Sequence, residues 1–257
     1  MRIIFGTLRA VPVAIETCDL LVTYDTLTAL DRVSMAVPAG SSVAVIGPNG
    51  CGKSTLLKAL AGIVEPASGS LGVEGGQPAI VLQSTDVDRA VPISVRDTVA
   101  MARYATLGLL GRFRAADWGV VDGAMRRLEV DDLADRQLHQ LSGGQRQRVL
   151  VAQGLAQDSP VLLLDEPFTG VDVTSRALIV GVLDEERASG RTTVISTHNF
   201  DDARRCDLVL LLATRAVAFG SPAEVLTEDH LRQAFGGRFV RVGDTLLLDD
   251  PHHQHDH

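Results

Sequence analysis

Gly47-Pro48-Asn49-Gly50-Cys51-Gly52-Lys53-Ser54-Thr55 is the stretch whose reading decides the fold. An apolar run, Ser42-Val43-Ala44-Val45-Ile46, precedes it, and a helix-forming run, Leu56-Leu57-Lys58-Ala59-Leu60-Ala61, follows. Strand, glycine-rich turn and helix in that order fit G-x-x-x-x-G-K-[ST], a loop that cradles phosphate. Gly47, Gly50 and Gly52 allow backbone angles that a side chain blocks, so the loop can turn its N–H groups onto an anion. A helix starting near Lys53 adds the positive end of its dipole at the same point. On this reading Lys53 reaches the β- and γ-phosphates, the Ser54 hydroxyl binds Mg²⁺, and Thr55 contacts the α-phosphate.

Downstream, Val161-Leu162-Leu163-Leu164-Asp165-Glu166-Pro167 is an apolar run that ends in two carboxylates. Such a run suits a central parallel strand buried on both faces, with its C-terminal carboxylates at the ligand crevice. Asp165 is then placed to hold Mg²⁺ and Glu166 to polarise the attacking water. Thr192-Thr193-Val194-Ile195-Ser196 reads as a second buried strand with Thr197-His198 at its end. A lone histidine is often structural, but His198 shares the strand-end level of Asp165, which favours a functional reading. Pro78–Leu82 reads as another strand ending at Gln83, either a ligand-facing polar residue or a plain strand end. Ser142 caps an expected helix through Gln157, with Val149, Leu150, Ala152 and Leu155 inward, and Gly143-Gly144 leave the amides at its start uncovered. That makes a second helix-terminus anion site, although Ser-Gly-Gly alone is usually just a loop.

The remainder fits one domain. Val13 to Val37 reads as two strands around a turn, residues 65–70 as a turn and 71–73 as a short strand. Tyr24, 23 residues before the loop (47 − 24), has two open readings: stacking on an adenine ring or a cross-strand aromatic contact. Residues 84–140 turn helical: Ser94 caps a helix to Tyr104, a Gly/Arg-rich loop spans 107–114, and a second helix spans 117–128. Gly170-Val171-Asp172 forms a turn before a helix from Thr174 to Arg187, two strands cover 208–212 and 216–220, and Pro222–Phe235 reads as helical.

Composition narrows the function. The 257 residues are 46% hydrophobic, as in a folded protein, and the net charge of −8 argues against a nucleic-acid face or a polybasic membrane surface. No apolar run reaches the ~18 residues of a membrane span; Arg215 breaks the longest, Leu208 to Phe219. Residues 1–12 read as a loose extension without a signal-peptide cleavage site. Cys18, Cys51 and Cys206 are scattered and odd in number, which suits a reducing compartment.

With these pieces placed, residues 13–235 resemble the ATP-binding subunit of an ABC transporter. The resemblance implies an α/β P-loop NTPase fold spanning about 13–236. It has a mostly parallel core sheet, an N-terminal antiparallel β subdomain, a helical subdomain inserted at about 91–158 and a C-terminal extension, 237–257. Tyr24 matches the adenine-stacking aromatic, and Gln83 the glutamine that senses Mg²⁺ and water and borders the membrane subunit. Ser142, Gly143, Gly144 and Gln145 match the signature motif, Asp172 the aspartate that crosses the dimer interface, and His198 the switch histidine at the γ-phosphate. The two helix starts lie 90 residues apart (142 − 52), so a head-to-tail homodimer lets each ATP take its loop from one copy and its Ser-Gly-Gly from the other.

The resemblance further implies ATP and Mg²⁺ as ligands, transmembrane permease subunits as partners, an external solute-binding protein acting through them, no nucleic acid, and a peripheral place on the cytoplasmic face of the membrane. Residues 91–104 and 166–172 resemble importers of manganese, zinc or chelated iron. Ala102, Cys51 and Asn199 depart from the residues common there. A soluble single-unit ABC ATPase of the iron–sulfur cluster assembly type, or an importer of another solute, is the alternative. Cys51 at a helix start is either a reactive thiol of lowered pKa or a small filler. The end of the chain, Asp249 to His257, holds four of the seven histidines and reads as a metal-binding or a plain polar tail.

Overall fold

The computed structural model describes residues 12–83, 92–107, 111–236, 239–242 and 245–248. The extension up to residue 11, the hint at Val91, part of the 107–114 loop and the histidine-rich tail lie outside them. Strands β1 (Val13–Tyr24) and β2 (Leu27–Pro38) form the expected hairpin, and β4 (Ser68–Val73) adds to the other edge of β1. Ser68 to Ser70, expected as turn, are strand because Leu21 and Cys18 of β1 pair with Ser68 and Ser70.

The second sheet holds β3 (Ser42–Ile46), β5 (Ala79–Val81), β6 (Val161–Asp165), β7 (Thr192–Thr197), β8 (Leu208–Ala213) and β9 (Arg215–Gly220) in the order β5-β6-β7-β3-β8-β9. All pairings are parallel except β8 with β9. Every residue of β3, β6 and β7 is buried, as expected for parallel strands covered on both faces. The strand period of two divides their side chains between two cores. Val43, Val45, Val161, Leu163, Leu210 and Leu212 pack with α1 (Lys53–Leu60) and the antiparallel sheet. Ala44, Ile46, Leu162, Leu164, Val209 and Leu211 pack on the other face with the helices that follow.

Between β5 and β6 lie α2 (Val95–Ala100), a short 3₁₀ turn, α3 (Tyr104–Leu107), α4 (Ala115–Arg127) and α5 (Gly143–Ala156), the helical stretch read from the sequence. In α5, Val149, Ala152 and Leu155 are buried as expected; Val151 is buried too, while Leu150 is only half-buried. α6 (Val173–Ala188) and α7 (Phe200–Arg205) follow β6 and β7. The helical stretch expected over Pro222–Phe235 is divided into α8 (Pro222–Val225) and α9 (Glu228–Phe235), because α8 ends at Leu226 and Thr227 caps α9. A hairpin of β10 (Phe239–Val242) and β11 (Thr245–Leu248) closes the described chain. Among the described residues no helix is long and apolar enough to cross a membrane.

Candidate functional site

The neighbouring parallel strands β6, β7 and β3 end at one edge of the sheet, where they place Asp165-Glu166, Thr197-His198 and the Gly47 loop side by side. Loops at the C-terminal edge of such a sheet form its crevice. Gly52 sits at φ 103 as the N-cap of α1, and a side chain there would run into the carbonyl of Ala29 and into Leu30. A glycine cap carries no side chain to satisfy the first amides of the helix, so they remain for a ligand. Lys53 is 6% exposed and folds back over the loop, its Nζ donating to the carbonyls of Gly47 at 2.8 Å and Pro48 at 3.1 Å. Pro48, Asn49 and Gly50 form the rim, and Ser54 and Thr55 begin α1, half-buried.

Cys51 is 5% exposed, and burial pushes its thiol above the ordinary range despite the nearby Lys53 ammonium. Of the two readings of Cys51, burial supports the small filler, because desolvation outweighs the helix start.

At the end of β6, Asp165 is 3% exposed and its Oδ1 accepts from the Ser196 hydroxyl at 2.5 Å. The same Ser196 oxygen accepts the Glu166 amide at 2.9 Å, which couples the strand ends. Glu166 has φ 46, a left-handed backbone unusual for a residue with a side chain. Its Oε2 accepts from Gln83 Nε2 at 3.3 Å and from Thr169 Oγ1 at 3.0 Å. Gln83, just past the adjacent β5, thus meets Glu166. His198 is exposed at the end of β7. Asn199 caps α7 by accepting the Asp201 amide at 2.7 Å, so the departure at this position keeps a capping residue.

Ser142 caps α5 through a reciprocal box: its Oγ accepts the Gln145 amide at 3.2 Å, and Gln145 Oε1 accepts the Ser142 amide at 3.1 Å. Gly144 is buried against the cap of α6, where a side chain would strike the Asp172 carboxylate and the Ser175 hydroxyl. Asp172 accepts from Ser175 N and Ser175 Oγ, each at 2.8 Å, and these bonds, the backbone one first, hold its carboxyl below the usual range. Ser142 to Gln145 and Asp172 are therefore one unit. Among the described residues no hydrogen bond joins that unit to the Gly47 loop of the same chain. Tyr24 is 43% exposed, opposite Leu27 beside the turn of its hairpin, and among the described residues it pairs with no other aromatic ring. Sequence reasoning missed Thr169 and Ser196. Thr169 was within reach, since Pro167 marks a tight turn that returns the chain to Glu166.

A phosphate loop on β3 beside carboxylates on β6, in this strand order, defines a P-loop ATPase. Residues 30–169 match the family model described as ABC transporter, and the chain belongs to that family as an ATP-hydrolysing member. Among its relatives, the manganese transport system ATP-binding protein MntB of Bacillus subtilis is 37% identical over 91% of this chain and 97% of its own length. The chelated iron transport system membrane protein YfeB of Yersinia pestis is 36% identical over 90% of this chain and 83% of its own. The zinc transport system ATP-binding protein TroB of Treponema pallidum is 36% identical over 93% and 92% respectively. Among solved structures, a chain of an inward-facing ABC transporter of metal-chelate type aligns with TM-score 0.79 and 28% identity, over 92% of this chain and 96% of that one.

Proposed function

We propose that this chain is the ATPase subunit of a transporter that moves a divalent metal ion, manganese or zinc, or an iron chelate into the cell. The relatives named for manganese, zinc and chelated iron, each similar over nine-tenths of this chain, support that cargo. The domain spans about 13–236, with the helical part at about 91–158 and an extension beyond. ATP lies on the loop Gly47 to Thr55, with Tyr24 against the adenine and Lys53 turned from its carbonyl partners onto the phosphates.

The donors Ser54, Asp165 and Gln83 are all oxygen-bearing and lie at one edge of the sheet, a set that fits Mg²⁺. When bound, that ion neutralises charge on the β- and γ-phosphates. Glu166 takes the proton of the attacking water, and His198 contacts the γ-phosphate. The observation that carries the mechanism is that, among the described residues, no hydrogen bond joins the loop to the Ser142–Asp172 unit, while Ser142, Gly143 and Asp172 are exposed. A head-to-tail second copy brings Ser142, Gly143, Gly144 and Gln145 to the nucleotide, with Asp172 at the seam.

Leu82, Met101, Tyr104 and Trp118 are large apolar residues left exposed beside Gln83 and on the helical part. Tyr104, Phe113 and Trp118 pack in succession, the first pair edge to face and the second tilted, with centroids 5.3 and 4.9 Å apart. This patch suits a helix of a membrane-embedded permease subunit; on this reading the chain lies on the cytoplasmic face of the membrane, with an external binding protein acting through the permease. Reconstitution with the permease tests the reading. ATP turnover should rise with binding protein loaded with Mn²⁺, Zn²⁺ or an iron chelate. Co-purification with a soluble scaffold and no permease would overturn it.

A further inference from the structure

The Glu166 carboxylate is held on one side only. Pro167 fixes the first corner of a turn, and the Thr169 amide closes it on the Glu166 carbonyl at 3.3 Å. The turn brings the Thr169 hydroxyl back over its own first residue, 3.0 Å from Oε2. Gln83, arriving from the neighbouring strand end, donates to the same oxygen at 3.3 Å. No other described group donates to the carboxylate through a hydrogen bond. Below it the backbone is fixed by the Ser196 bond to the Glu166 amide, and φ 46 fixes the direction in which the side chain leaves.

We infer that Thr169 is a positioning residue that, with Gln83, engages Oε2 of Glu166 and so presents Oε1 as the oxygen that receives the proton of water. The inference rests on the reading of Glu166 as the base. A carboxylate with both oxygens equivalent rotates about its last torsion, which is soft. One tethered to two donors through a single oxygen keeps the other lone pairs aimed. The tether comes from residues on two different strand ends, so the aim of the base depends on β5 and β6 staying in register. Thr169 lies three residues before Asp172 (172 − 169), so the seam proposed for the second copy begins within the same short segment as the tether.

The test compares Thr169→Val, which keeps shape and loses the hydroxyl, with Thr169→Ser, which keeps the hydroxyl, and with Glu166→Gln. Steady-state ATP hydrolysis is measured with nucleotide affinity and melting temperature. Thr169→Val should lower kcat by about tenfold or more, the scale of loss when a reacting group is misplaced by a fraction of an ångström to an ångström. KM should stay unchanged, and Thr169→Ser should recover most of the rate. Glu166→Gln without turnover beside Thr169→Val at the wild-type rate overturns this inference alone. So does an equal loss in Val and Ser variants, which marks Thr169 as mere packing. Glu166→Gln at the wild-type rate overturns the reading of the base, and the inference with it.

Discussion

α1 and α5 both begin beside glycines, but their first turns are completed in opposite ways. α1 is capped by Gly52, which supplies no side-chain acceptor, and the Lys53 ammonium is spent on two carbonyls of its own loop. α5 is capped by Ser142 and Gln145, each accepting the other's amide. Four amides at a helix start lack internal partners. The α1 start therefore leaves its demand to a ligand, whereas α5 meets part of its own and is complete without one. The first is a site within one chain. The second is a stable surface that becomes a site only when a stronger acceptor, such as a phosphate of ATP held by another copy, replaces the internal one.

The largest effect should follow from attacking the α1 side. Lys53→Ala removes a charged donor, and bonds to charged groups are worth roughly 1.5–3 kcal/mol each. With two phosphate oxygens lost, ATP affinity by calorimetry should fall by about a hundredfold, since each 1.4 kcal/mol is tenfold. Equal affinity in the variant would erase the contrast, because α1 would then hold its ligand no better than α5 does.

Gly144→Ala is next. Its new methyl would meet the Asp172 carboxylate and the Ser175 hydroxyl, so the cap of α6 must shift. Overpacking of this kind costs typically 1–3 kcal/mol, which for a chain of this size lowers the melting temperature by about 2–12 °C. Gly143→Ala is the control, because the nearest atom to its methyl is the Gly170 carbonyl at 3.4 Å. ATP affinity of the monomer should be unchanged in both. If Gly144→Ala weakened ATP binding to the monomer, the two helix starts would not be separate.

Ser142→Ala should cost about 1 kcal/mol as a lost cap, or roughly 2–4 °C, read by calorimetric melting. A Ser142→Thr chain keeps an acceptor and should melt near the parent. A full melting-temperature match in Ser142→Ala would mean that the reciprocal box carries no stability and that α5 is as unfinished as α1.

Much of this was legible because it is local. The order strand, glycine turn, helix around Lys53, the apolar run into Asp165 and the cap at Ser142 each lie within about a dozen residues, so periodicity and turn chemistry expose them. Ser68 to Ser70 misread as turn because a serine- and glycine-rich stretch has no strand pattern of its own; it is strand only because β1 offers an open edge. The helical reading of Pro222–Phe235 did not mark the break at Leu226-Thr227, where a local hydroxyl caps a new helix. The Gln83–Glu166 contact joins residues 83 apart in sequence and depends on β5 lying beside β6, which no local pattern states.

Cys51 gives the smallest effect and the finest test of α1. A helix start lowers a thiol's pKa when solvent and ligand can reach the sulfur, and burial raises it. The structure puts Cys51 on the buried side, with its thiol shifted upward, and Cys206 further still, to about 12. Cys18 is exposed. Iodoacetamide at pH 8 should therefore label Cys18 in the native protein and reach Cys51 and Cys206 only after denaturation, as read by mass spectrometry. Cys51→Ala should leave ATP affinity nearly intact. Rapid native labelling of Cys51 that ATP blocks would mean that the loop opens to solvent before it binds. The α1 start would then be organised by its nucleotide, and not built in advance by Gly52 and the packing beneath it.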